Sequence, residues 1–257
     1  MTRLLVLNPN TSTAMTRAIE AAAELAAAGR AEVLAVQPAL GPESIEGEFD
    51  EVVSAYHSLD AVVQTRGASD FVIVACYSVH PVIGALREAL AQPVIGIMEA
   101  SIASALPLGA RFAIVTTSPR WQPLLVEGVR SLGFADRCAS VRSSGLSVLD
   151  LERRPAAEVR SRLLAAARAA VEEDGAEVIC LGCAGMAGLH EAVSAGLDVP
   201  VVEAVAAGVG AALALAAQGL QTAKTGLYRP VDPRAATGLP AGIAHVYGAG
   251  AAAPPDR

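Results

Sequence analysis

Cys76 and Cys183 stand at matching places in two halves of the chain that read as copies of one another. Asp70-Phe-Val-Ile-Val-Ala-Cys76 leads through an apolar helical stretch to Gln92-Pro-Val-Ile-Gly-Ile, and Glu177-Val-Ile-Cys-Leu-Gly-Cys183 leads through a similar one to Val199-Pro-Val-Val-Glu. Each cysteine precedes its proline, Pro93 or Pro200, by 17 residues. Upstream, Arg3-Leu-Leu-Val-Leu-Asn8 matches Arg111-Phe-Ala-Ile-Val-Thr116, 73 and 72 residues before the cysteines. Thiols offered by two similar lobes can reach opposite faces of one ligand. Removing a proton from one face of a carbon and delivering a proton to the other inverts that carbon.

Cysteine suits both roles, because a helix N-terminus can bring its pKa of about 8.5 toward neutrality. The working state needs one thiolate and one thiol, which predicts a bell-shaped pH profile. The enolate-like charge left after proton removal calls for backbone amides or hydroxyls nearby. The other cysteines lack this placement. Cys180 lies in an apolar strand on the face opposite Cys183 and reads as core; Cys138 has no motif around it and reads as structural. Cys180-Leu-Gly-Cys183 has the spacing of a redox or zinc pair, yet no second pair or Cys/His cluster follows it, so no metal is expected. His80 and His190 fall at unequal offsets from their cysteines and read as structural or supporting residues. Lys224, the sole lysine, lies beyond the second repeat, which disfavours a pyridoxal Schiff base.

Two lobes of α/β type, each a four-stranded parallel sheet with helices on both faces, must position these thiols. Short β-rich runs alternate with longer helical patterns. The expected strands are Arg3–Asn8, Glu32–Gln37, Phe71–Ala75 and Val94–Met98, then Phe112–Thr116, Cys138–Arg142, Val178–Gly182 and Val201–Glu203. The runs before the cysteines are apolar throughout, as in strands covered on both faces. Helices are expected over Ala14–Ala28, after the N-cap residues Thr11-Ser12-Thr13, and over Ala156–Glu173, after Pro155. Residues 1–98 form the first lobe, completed by about 205–228; residues 99–204 form the second; residues 229–257, rich in proline, glycine and alanine without periodicity, read as an irregular tail. In such sheets ligands bind at the carboxyl ends of the strands. Asn8-Pro-Asn-Thr-Ser12 and Thr116-Thr-Ser-Pro119 fall there, as do Tyr77-Ser78 and Ala184-Gly185 after the cysteines.

Composition narrows the class. With 257 residues the chain can bury two small cores, and 53% apolar with only 4% aromatic residues means cores of small aliphatic side chains. A net charge of -7 without basic clusters argues against nucleic-acid binding. Residues 200–220 are nearly apolar enough to span a bilayer, but Glu203 interrupts them and a buried strand and helix is expected instead of a membrane segment. The opening residues break at Asn8-Pro9 and do not read as a signal peptide; four cysteines without one suggest free thiols in the cytoplasm.

Leu7-Asn-Pro-Asn-Thr-Ser12, Val74-Ala-Cys76, Pro93-Val-Ile-Gly-Ile-Met-Glu-Ala100, Val115-Thr-Thr117 and Leu181-Gly-Cys-Ala-Gly-Met-Ala-Gly188 together resemble the hydantoin racemase family of the aspartate/glutamate racemase superfamily. The resemblance spans about residues 3–227. It implies two pseudosymmetric lobes, no cofactor, a small-molecule substrate and a homo-oligomer. It also implies acid/base catalysis by Cys76 and Cys183, with Asn8, Pro9, Asn10, Thr11, Tyr77, Ser78, Thr116, Thr117, Ala184 and Gly185 around the substrate. The expected reaction is racemisation or epimerisation of a 5-substituted hydantoin or a related cyclic ureide such as allantoin. The alternatives are a maleate-type cis-trans isomerase, an amino-acid racemase of the same superfamily, or a ligand-binding protein without chemistry. The superfamily's amino-acid racemases carry Cys-Asn-Thr and Cys-Thr-His where this chain has Cys76-Tyr-Ser and Cys183-Ala-Gly. Its arylmalonate decarboxylases keep only the second-lobe cysteine. One departure from the hydantoin racemases is Val79-His80, where an aspartate usually precedes the proline.

Overall fold

The computed structural model describes residues 1–65 and 67–248. Among the described residues, eight strands form two separate, all-parallel sheets. The first has the order β2-β1-β3-β4, from β1 (Thr2–Leu7), β2 (Ala31–Val36), β3 (Phe71–Val74) and β4 (Val94–Gly96). The second has the order β6-β5-β7-β8, from β5 (Phe112–Thr116), β6 (Cys138–Ser143), β7 (Val178–Leu181) and β8 (Val201–Val202). In each sheet the strand that leads to a cysteine lies next to the lobe's first strand: Leu4–Leu7 pair with Phe71–Val74, and Phe112–Val115 with Val178–Leu181. β3 and β7, the strands that lead to the cysteines, are buried along their whole length, which accounts for their unbroken apolar character.

The helices are α1 (Thr13–Ala27), α2 (Glu48–Gln64), α3 (Pro81–Ala89), α4 (Ile97–Ala105), α5 (Gln122–Ser131), α6 (Asp150–Arg153), α7 (Ala156–Glu172), α8 (His190–Ser194), α9 (Ala204–Ala217) and α10 (Ala241–Val246). Ser12 caps α1, its hydroxyl accepting from Met15 N at 3.1 Å. The chain crosses between sheets twice: α4 packs on β7 and β8 of the second, and α9 packs on β1, β3 and β4 of the first. No helix among the described residues is long and apolar enough to cross a membrane.

Three expectations change. The strand expected to run to Met98 stops at Gly96, because Glu99 reaches back to accept from Gly96 N at 3.0 Å and opens α4. Glu203 likewise leaves the strand and caps α9, accepting from Val205 N at 2.9 Å and Ala206 N at 2.7 Å. Within the stretch expected to be irregular, α10 follows Pro240 and buries Ile243, with α2 packed against it. Residues 249–257 of the expected tail lie outside the described residues.

Candidate active site

Cys76 and Cys183 each follow the end of a central strand by one intervening residue, after Val74-Ala75 and Leu181-Gly182. Both line a single cavity of about 30 Å³, together with Pro9, Asn10, Tyr77, Thr117, Gly182 and Ala184 at the strand tips and with Met15, Ile45, Trp121 and Val148. That space holds no more than about two water molecules. The wall is mostly apolar, and its polar groups are few and fixed.

Of the other expected residues, Asn8, Thr11, Ser78, Thr116 and Gly185 do not line this cavity. Asn8 is buried and donates through Nδ2 to Asn10 Oδ1 at 2.9 Å and Thr16 Oγ1 at 2.9 Å, so it holds Asn10 at the cavity wall. Thr11 turns to Pro42 O, at 3.3 Å from its hydroxyl. Thr116 donates to Gly182 O at 3.0 Å and ties β5 to the residue before Cys183. Gly185 sits so close that an added Cβ would lie 3.6 Å from Cys183 Sγ. Ser78 lies behind Cys76, its hydroxyl 3.6 Å from Sγ and 2.5 Å from Glu51 Oε1. Tyr77 lines the cavity, and its hydroxyl accepts from Ser101 Oγ at 2.9 Å. Cys180 is fully buried beside Ser101 O, in the core as expected, and Cys138 is half-buried outside the cavity.

Electrostatics departs from expectation. Burial pushes the Cys76 thiol far above its ordinary range, and the Glu51 carboxylate pushes it further. Burial also raises Cys183, to about 11; the Gly185 and Met186 amides oppose this, while Glu46 and Glu152 add to it. Helix-type amides do favour the Cys183 thiolate, as anticipated, but desolvation of the sulfur outweighs them even though the residue as a whole is only partly buried. Both thiols are therefore protonated in this closed state at neutral pH.

Sequence reasoning did not find Glu51, Met15, Ile45, Trp121 or Val148. Glu51 lies in α2 among Glu48 and Asp50, where a carboxylate reads as a solvated face, yet it is buried against Ser78. The ligand atoms of Glu51, Cys76 and His80 lie within 4.8 Å of one another, a spacing compatible with a metal ion. Here, however, each histidine nitrogen is already engaged: Nδ1 accepts from Val82 N at 3.2 Å, and Nε2 bonds Ser54 Oγ at 2.9 Å. Burial holds the imidazolium pKa at about 4, so His80 is neutral at pH 7. The cluster is a hydrogen-bonded polar group rather than a set of free ligands.

The sequence profile of the Asp/Glu/hydantoin racemase family matches residues 4–212. A hydantoin racemase from Pseudomonas sp. (strain NS671) is 40% identical over 229 residues, covering 88% of this chain and 91% of that protein. Among solved structures, an allantoin racemase from Pseudomonas fluorescens is 38% identical with a TM-score of 0.89, covering 92% of this chain and all of that one. An allantoin racemase from Klebsiella pneumoniae is also 38% identical, with a TM-score of 0.88 and coverage of 93% and 97%.

Proposed function

The chain belongs to the Asp/Glu/hydantoin racemase family, and on that premise we propose that it is a cofactor-independent racemase or epimerase of 5-substituted hydantoins or related cyclic ureides such as allantoin. The observation that carries the mechanism is the single cavity lined by both Cys76 and Cys183. One thiolate takes the proton from the carbon next to the ring carbonyl. The other thiol delivers its proton to the opposite face, and the roles exchange for the other enantiomer. The charge that develops on the carbonyl oxygen is met by strand-tip amides and by the polar side chains of Asn10 and Thr117. Met15, Ile45, Trp121 and Val148 receive the ring substituent. The relatives of high identity named above are racemases, which favours this reading over a cis-trans isomerase or a non-catalytic binding protein.

Proton NMR in deuterated water tests the proposal. A single hydantoin or allantoin enantiomer should gain solvent deuterium at its stereocentre as optical activity decays. No exchange across a panel of ureides would refute the assignment. Replacing either cysteine with alanine should reduce racemisation by about 10²–10⁴-fold; a variant that still racemises at the wild-type rate removes that residue from the mechanism.

Two properties complete the proposal. Four free cysteines suit a reducing cytoplasm. Assembly into a homo-oligomer is supported by Phe49, Val52, Val53 and Tyr56, an apolar row at helical spacing on α2 that is exposed in the single chain. Light scattering that returned a monomer mass would refute assembly.

A further inference from the structure

The two thiols occupy equivalent positions in duplicated lobes, yet their polar surroundings differ. Cys183 opens a single 3₁₀ turn, Ala184–Met186, in which Met186 N donates to the Cys183 carbonyl oxygen at 3.0 Å, and the nearby amides of Gly185 and Met186 favour charge on its sulfur. Two carboxylates, Glu46 from the loop before α2 and Glu152 from α6, oppose charge on it through space. Cys76 instead backs onto a buried carboxylate. Glu51, 6% exposed on α2, takes the Ser78 hydroxyl at 2.5 Å, and that hydroxyl lies 3.6 Å from Cys76 Sγ. The carboxylate itself comes within 4.8 Å of the sulfur. The other titratable groups facing this cluster are His80 at the start of α3, which is neutral, Glu48 one turn before Glu51, and Cys183 across the cavity. None supplies a compensating positive charge.

We propose that Glu51, with Ser78 as its bridge, is a positioning residue that holds Cys76 as the thiol, so that the enzyme's active form carries its thiolate on Cys183. This rests on the racemase reading and adds an asymmetry to it. A carboxylate this close to a sulfur opposes a second negative charge there, whereas backbone N–H groups welcome one. The enantiomer whose C5 hydrogen faces Cys183 meets the major active form, and its mirror image meets the minor one. Enantiomers are equally stable, so kcat/KM must be the same for both; kcat and KM therefore differ between them in the same ratio.

Peptide-resolved alkylation of the full-length protein with iodoacetamide, between about pH 6 and pH 11, tests this on the thiols themselves. In the wild type Cys183 should titrate at lower pH than Cys76. Glu51→Gln should raise Cys76 labelling at neutral pH by about tenfold or more, with the titration of Cys183 little changed. Glu51→Asp, which keeps the charge, should restore slow labelling of Cys76. The fully buried Cys180 serves as the sentinel for unfolding. An unchanged Cys76 in folded Glu51→Gln overturns the proposal, as does equal acceleration in both variants, or a wild-type Cys76 that titrates below Cys183. If Glu51→Gln labels at Cys180, the order of the two wild-type thiols decides. Absence of deuterium exchange on ureides would refute the racemase assignment without touching this result.

Discussion

The backbone N–H of Val148 donates to Glu46 Oε1 at 3.3 Å, joining two loops that are 102 residues apart in sequence and close the cavity from opposite lobes. Ile45 and Val148 are the cavity-lining residues these loops contribute. Two further ties lie beside this bond: Arg153 to Glu43 at 2.7 Å, and Ser12 Oγ to Glu152 Oε1 at 3.1 Å. A five-membered ureide needs more room than this cavity offers, and these loops are the expected place for it to open.

The cost of parting them is low. Arg153 and Glu43 are mostly exposed, and such pairs contribute about 0–1 kcal/mol. Backbone amides of residues 43–48 and 144–151 should therefore exchange hydrogen much faster than those of β1 and β3, and a bound ureide should slow them. Hydrogen exchange followed by mass spectrometry reads both effects. Exchange of these loops only together with the central strands would show that the cavity opens by global unfolding instead.

Gly182 sets how closely β7 approaches β5 just before Cys183. An added Cβ would meet Ile114 Cγ2 at 2.6 Å and the Val115 carbonyl oxygen at 3.0 Å. Backbone cannot yield as a flexible side chain can. Gly182→Ala should therefore cost about 1–3 kcal/mol in urea denaturation and lower racemisation by displacing Cys183. Gly84→Ala, in α3 where an added Cβ meets nothing within 4 Å, should instead be neutral or stabilising by up to about 1 kcal/mol. Equal behaviour of the two variants would refute the packing account.

What the sequence reveals, and what it hides, follows the range of the interactions involved. Phe71-Val-Ile-Val and Val178-Ile-Cys-Leu announce buried strands because alternation is absent from both, and the repeat of cysteine-to-proline spacing makes the lobes legible. The end of β4 is less so, since it depends on Glu99 folding back onto Gly96. Glu51 is hidden because only the arrival of Ser78 from a separate element makes its position buried and polar. Met15, Ile45, Trp121 and Val148 look like any core side chain until the two loops meet over the cysteines. The thiol environment is hidden for the same reason: amides at a helix start can be read locally, whereas exclusion of water cannot.

His80 gives a stability test. Its folded pKa of about 4 lies below the ordinary histidine value of about 6.5, so the unfolded chain binds the extra proton in the interval between them. Stability falls as pH drops through that window, by about 3 kcal/mol at full titration. His80→Asn keeps an N-cap acceptor for α3 and removes the titration. Urea denaturation at pH 7 and at about pH 4.5 should show the wild type losing about 2–3 kcal/mol more than the variant. Buried carboxylates, Glu51 among them, titrate in both proteins and largely cancel in the difference. Parallel losses in the two proteins would mean that His80 is already protonated in the folded state.

Activity should depend on pH in a way that a neutral-pH bell does not describe. Burial raises both thiols, Cys183 to about 11 and Cys76 further. The free enzyme therefore carries little thiolate at pH 7, and each unit of pH above that raises the competent fraction about tenfold until Cys183 titrates. Log kcat/KM for racemisation, corrected for the uncatalysed rate, should climb with a slope near one between about pH 7 and pH 9. The fall on the far side comes only when Cys76 also loses its proton and no acid remains to deliver one. Glu51→Gln should bring that fall to lower pH, because the charge that opposes a Cys76 thiolate is gone. A flat profile across neutral pH would show that a thiolate already exists at rest. In that case the open, water-filled site rather than the closed one sets the acidity of the thiols.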